Sequence, residues 1–358
     1  MRLEEYFTND FIDEINKCLR ETISQKQEKS YIDYNILEEY LKNVLNYQKN
    51  YRRKNKIPKI VAPIQRERAI QISLEFFKSV DEEFYKKALA ILTQQTPNIS
   101  TYIYNINNIQ NYEEKNEYGI NKYSQEPSVI SDRGQSVVHI PIDGNVCEIS
   151  DVYNIIHEIA HTFDFTLTDT AVHQLGITTG NPNIINRFNK TRDLLGESTA
   201  IGFEYMLSDF LQKRDKVFQR FTDYEKDKRM SSSAWHARNA SCQLLLARLI
   251  ESNKTGRVEY KDIEKIVNDY NISPKDAYYI TKDSIGTNMM FESRYAISYF
   301  IAPVIAQKDT ISIKKYLERV KKDDFKGAMD ILGTETVGIK KLISMNKEKN
   351  VYQEGITK

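Results

Sequence analysis

Apolar residues recur along most of this chain at intervals of three and four, and in one short region they do not. Leu37, Leu41, Val44 and Leu45 form one such stripe. Ile70, Ile72, Leu74, Phe76 and Phe77 form a second, and Ala88, Leu89, Ile91 and Leu92 a third. This spacing predicts amphipathic helices over the first 95 or so residues, interrupted by the basic run KNYRRKNKIPK at 49–59. Between residues 97 and 144 the pattern changes. TYIYNI at 101–106 and SVVHIPI at 136–142 are β-branched and aromatic runs that predict strands, and the polar stretch between them reads as loop. Pro141 has no N–H to give a ladder, which puts the second run at a sheet edge, and Asp143-Gly144 predicts a turn. Helical periodicity then returns to the end, apart from a turn-rich stretch at 166–189 that includes ITTGNPN. The fold expected is mainly α, an elongated multi-helix protein with a small β-sheet. It divides into a helical region 1–96 and a second region 97–358, made of the sheet (97–145), a helical centre (150–211) and a helical C-terminal part (212–358).

Composition narrows the partners more than the fold. Of 358 residues 28% are charged, yet the net formal charge is +1, so no global field favours nucleic acid or a membrane surface. The run at 49–59 reads as a solvated helix end. Three widely spaced cysteines, Cys18, Cys147 and Cys242, supply neither a disulfide framework nor a thiolate metal site. The opening MRLEEYFTNDFIDEINKCLRE is acidic and amphipathic, unlike a secretion signal or an anchor. A cytoplasmic protein is expected, with export by a signal-less route left open. The oligomeric state is not legible.

Candidate chemistry is concentrated in NIIHEIAHTFDF at 154–165. The chain has five histidines, and two of them stand four apart around a glutamate. Ser150 is a suitable N-cap with Asp151 in the first turn, and Val152, Ile155, Ile156, Ile159 and Phe163 form a stripe to bury. On such a helix His157 and His161 lie one turn apart on one face, so both imidazoles reach one metal ion. Glu158 stands beside that ion as a candidate general base. The spacing alone also allows a helix with two unrelated histidines, so a third ligand has to be sought. LLGESTAIGFEYMLSDFL at 194–211 predicts an apolar helix carrying Glu197 and Glu204 on one face. A carboxylate among such neighbours is costly to bury without a cation, which makes Glu197 the third ligand and Glu204 a candidate partner of a ligand. The bland alternative is two exposed glutamates on an amphipathic helix. His173 does not fit a histidine-only site, because Asp164 and Leu167 occupy the glycine and histidine places of the longer motif. His139 and His236 read as structural.

These residues resemble the oligoendopeptidase F and thimet oligopeptidase family. The run SVVHIPIDGNVCEISDVYNIIHEIAHTFDF is similar to that family's strand, turn and H-E-x-G-H helix. Residues 197–204, ESTAIGFE, resemble its glutamate helix; RYAISYFIAPVIA at 294–306 resembles its tyrosine-rich stretch, and YLERVKKDDFKGAMDILG at 316–333 its C-terminal segment. The resemblance implies a zinc metallopeptidase with one Zn2+ per chain, bound by His157, His161 and Glu197, with Glu158 as base and short or unfolded peptides as substrates. It also implies that Val138, His139 and Ile140 lie on an edge strand that pairs with an extended substrate. Tyr295 and Tyr299, with Arg294 as a further candidate, would hold the oxyanion.

Departures from the family pattern bear on what this chain does. Ala160 replaces a glycine, 35 residues separate His161 from Glu197, and no histidine follows His236. The N-terminal half is also short. Two other readings therefore stand beside the oligopeptidase: a selective toxin- or effector-type protease acting on one protein, and a catalytically impaired relative that binds without cleaving.

Overall fold

The computed structural model describes residues 2–23, 63–132, 135–142, 144, 146–164, 191–214, 218–226, 228–229, 232, 236, 257–270, 272–286, 291–322 and 324–333. The stripe at 37–45, the basic run 49–59, Asp143 and the loop 166–189 with His173 lie outside the described residues, as does the chain beyond 333.

Two N-terminal helices, α1 (Leu3–Tyr6) and α2 (Asn9–Ile23), precede α3 (Arg66–Val80) and α4 (Glu82–Leu92). Among the described residues, β2 (Ile99–Asn105), β3 (Ser128–Asp132) and β4 (Gln135–Ile142) fall where the pattern changes, β5 (Cys147–Glu148) just after it, and β1 (Pro63–Ile64) before α3, in the stretch expected to be helical. The remaining helices are α5 (Ile149–Asp164), α6 (Thr191–Arg214), α7 (Tyr260–Tyr270), α8 (Pro274–Gly286), α9 (Phe291–Ile305), α10 (Thr310–Lys321) and α11 (Phe325–Leu332). The chain is mainly helical with a small sheet, as the periodicity predicts.

The sheet corrects one expectation. Its order is β2-β4-β3, so β4 is the central strand. It runs parallel to β2, with Ile99 opposite Ser136 and Tyr104 opposite Pro141, and antiparallel to β3, with Ser128 opposite His139. Pro141 is tolerated because β3 pairs only as far as His139, which leaves the proline past the end of that ladder. β3 itself lies in the stretch read as loop; its apolar content is only Val129 and Ile130, too little to stand out from polar surroundings. A second pairing, β1 with β5, ties residues 63–64 to the start of α5.

The start of α5 is capped differently from the reading at Ser150. The helix begins at Ile149, and the backbone N–H of Glu148 donates to Asp151 Oδ2 at 2.6 Å. A side chain three residues inside the helix thus satisfies the group at its threshold. The expected stripe is buried throughout, with Val152, Ile155, Ile156 and Ile159 fully so.

Aromatic side chains hold α5 and α6 against α3 and α4. Phe84 stacks on Phe163 with ring centroids 5.0 Å apart, and Phe203 contacts Phe76, Phe77, Phe84 and Phe163 edge-on or tilted at 5.5–6.2 Å. The long helix α6 also lies closely along α9. A Cβ at Gly202 would sit 2.9 Å from Ile305 Cγ2, so a larger residue there would push the helices apart. The same packing lays α9, which carries Tyr295 and Tyr299, along α6.

Candidate metal centre

On α5, His157 and His161 project from one face, and α6 brings Glu197 to meet them. His157 Nε2 lies 3.1 Å from His161 Nε2, and Glu197 Oε2 lies 3.4 Å from each. Ligands at about 2.0–2.1 Å around a tetrahedral zinc are about 3.3–3.4 Å apart, so the triangle has the dimensions of three such ligands. Among the described residues these three form a group able to hold a metal ion. His161 and Glu197 are buried, while the His157 side chain retains 20% of its exposure, so the cluster is reached from the His157 side. A site with access on one side suits a catalytic ion better than a closed structural one.

The donor set itself asks for a cation. His157 Nδ1 is 2.5 Å from Glu204 Oε1, and since a carboxylate can only accept, the ring proton sits on Nδ1. That leaves the lone pair of Nε2 facing another imidazole nitrogen and a carboxylate oxygen. Lone pairs brought this close repel unless a proton or a metal ion lies between them, and two imidazoles with one carboxylate match zinc in ligand type.

Electrostatic shifts follow from the same crowding. Burial opposes charge on His157, but Glu197 and Glu204 outweigh it and raise its pKa well above the usual value. Glu158 is buried beside the pair, and burial raises its pKa against the opposing pull of His157 and His161. Burial would likewise raise Glu204, yet Arg229 and His157 hold it down at about 2.

Other residues singled out by sequence are spread more widely. Tyr295 and Tyr299 lie on α9, and their rings stack on His236 at 4.7 Å and 5.5 Å. Burial pushes the Tyr299 hydroxyl up, and Glu204 adds to the effect, so Tyr299 faces the Glu204 side of the cluster. The backbone of Arg294 lies in α9; its side chain is outside the described residues. Val138, His139 and Ile140 are fully buried in the central strand, so they do not offer a free edge to a substrate. His139 is instead held by the carbonyl of Asn121 at 2.8 Å and Ser128 Oγ at 3.2 Å, and burial lowers its pKa.

Sequence reasoning missed two contacts. Arg229 reaches Glu204 from the helical residues that follow α6, and nothing in its local sequence, KRM, signals a buried guanidinium. His236, expected to be structural, stacks its ring on both tyrosines, a contact that sequence did not indicate. The separation of 59 residues between His236 and Tyr295 hides that contact.

No family model matches the sequence, and no curated protein does. One solved structure does match in fold, that of a "putative peptidase" from Chlamydophila abortus. The TM-score is 0.55 at 13% sequence identity, over 93% of this chain and 62% of that one. This chain therefore shares that fold and spans about three fifths of the other chain's length. No helix among the described residues is long and apolar enough to cross a membrane.

Proposed function

We propose that this protein is a zinc-dependent endopeptidase of the oligoendopeptidase F and thimet oligopeptidase type, acting on short or unfolded peptides. The observation that carries the reading is the triangle of His157 Nε2, His161 Nε2 and Glu197 Oε2, with edges of 3.1–3.4 Å and Glu158 buried beside it. The shared fold and the four quoted sequence segments point the same way.

Zinc held by these three residues would supply Lewis-acid polarisation of the scissile carbonyl and make water acidic enough to ionise near neutral pH. The chain's own groups do the rest. Glu158 takes the proton of the attacking water and passes it to the leaving amine. Glu204 keeps the Nδ1 proton of His157 in place, so that Nε2 faces inward. Tyr295, carried by α9 and stacked on His236, is the candidate donor to the oxyanion. The test is Glu158→Gln: zinc content should stay at one per chain while hydrolysis of a peptide panel falls by about 10²–10⁴-fold. Wild-type rates in that variant would remove Glu158 from the chemistry. Cleavage of one protein and of no panel peptide would favour a selective protease.

A further inference from the structure

Arg229 is a positively charged side chain only 4% exposed, set behind the metal-facing cluster rather than on the surface. Its Nε and Nη2 each lie 2.6 Å from Glu204 Oε2, and Nη2 is 3.8 Å from Glu225 Oε2. The guanidinium also lies over two rings, 4.6 Å from the centroid of Tyr153 and 5.8 Å from that of Tyr205. Tyr153 belongs to α5, one turn before His157, and its hydroxyl is 2.9 Å from Ser208 Oγ on α6. Arg229 is thus clamped between the two helices that supply all three candidate ligands.

The two oxygens of Glu204 have separate tasks. Oε1 accepts from His157 Nδ1, and Oε2 accepts from the guanidinium. Two donors of a rigid planar fork on one oxygen restrict where that carboxylate can turn. A fixed carboxylate in turn fixes the imidazole ring, and Nε2 is left aimed at His161 and Glu197. Desolvating a guanidinium is costly, so an ion pair here is a poor device for stability alone; apolar side chains of similar volume would serve that end as well or better. The ring contacts with Tyr153 and Tyr205 hold the guanidinium plane from outside the ion pair.

We infer that Arg229 is a positioning residue for the metal site: through Glu204 it holds the ring of His157 ready to bind a divalent cation, so that the site is organised before the ion arrives. Lysine at 229 keeps the charge and loses the fork, so it substitutes only in part. Glu225, on the same helical stretch, is a second carboxylate near the guanidinium, its Oε2 3.8 Å from Nη2. The inference rests on the metallopeptidase reading for the presence of an ion, not for the reaction catalysed.

Zinc affinity tests it directly, measured by competition with a chromophoric chelator on the full chain, beside far-UV circular dichroism of each metal-free variant. Arg229→Met should weaken Zn2+ binding by about 10–100-fold, the usual effect of removing an outer partner of a ligand, with Arg229→Lys between it and wild type. Combined with Glu204→Gln, Arg229→Met should add nothing further, because both act on the same ring. If Arg229→Met does not fold, the pair Glu225→Gln with Arg229→Met removes one charge of each sign and should show the same loss of affinity. Zinc binding within twofold of wild type in a folded Arg229 variant, or full additivity with Glu204→Gln, would overturn the inference. A wild-type protein that takes up no Zn2+ overturns this inference and the metallopeptidase reading together. Weakened zinc binding in a protein that cleaves no peptide upholds this inference and overturns the peptidase reading alone.

Discussion

Among the described residues, two parts of the molecule bury histidine, and they do so in opposite ways. In the sheet, His139 sits between one backbone carbonyl and one serine hydroxyl, both neutral, and burial disfavours charge on its ring. On α5, His157 and His161 face each other and a carboxylate at 3.1–3.4 Å, with a second carboxylate behind His157. The first arrangement is complete by itself. In the second, the inward-facing lone pairs need a proton or a metal ion between them. Burial alone therefore says little about a histidine; what distinguishes the two is whether its partners are neutral groups that pair with it or acceptors that converge with it on one point.

The largest expected effect comes from emptying the convergent site. Glu197→Ala or His161→Ala should reduce bound zinc from one per chain to near zero and peptide hydrolysis to background, measured by elemental analysis and a quenched-fluorescence peptide; His139→Gln should leave zinc at one per chain. Retention of stoichiometric zinc in both ligand variants would erase the contrast between the two regions.

His139→Phe provides the converse test. It removes the hydrogen bonds to the Asn121 carbonyl and the Ser128 hydroxyl together, and should cost about 1–3 kcal/mol in denaturant unfolding. A stability unchanged by the substitution would show that the sheet does not depend on this histidine.

A pH series sharpens the same comparison. Burial depresses the pKa of His139 in the folded chain below the ordinary value of about 6.5, so the unfolded chain takes up the proton first as pH falls. The stability that His139 contributes is thus fully present above about pH 6.5 and declines below it, at up to about 1.4 kcal/mol per pH unit, until the folded pKa is reached. The difference between wild type and His139→Gln, followed by urea unfolding from pH 7.5 to 5.5, isolates that slope from other titrating groups. A difference that stays constant over this range would mean that His139 does not titrate as described.

The smallest effect is expected for Ser128→Ala. It removes one hydrogen bond to His139 while the Asn121 carbonyl remains, and should lower stability by about 1 kcal/mol with zinc affinity unaltered. A change in zinc affinity would couple the sheet histidine to the metal-facing pair.

Legibility differed between these regions for reasons of distance along the chain. His157 and His161 are one helical turn apart, so a local period places them on one face, and the apolar residues around Glu197 mark it as a carboxylate that burial would make costly. The edge assignment of β4 failed because Pro141 excludes ladder donation only at its own position. Strand β3, which stops short of that position, was too brief and too polar to announce itself. Arg229 was invisible for a related reason, since a charged residue in a charged segment carries no local sign of being buried.

From the sequence by itself came the helical class, the small β region, the buried stripe of α5, and the pairing of two histidines with a nearby acid. All of these depend on periodicity over a few residues and on the free energy of burying particular side chains. Only the tertiary structure decided the strand order, the meeting of Glu197 with His157 and His161, the hold of Arg229 on Glu204, and the stacking of His236 on Tyr295. Those contacts join residues 25 to 59 apart or more along different helices, and the close packing of α5, α6 and α9 sets their distances.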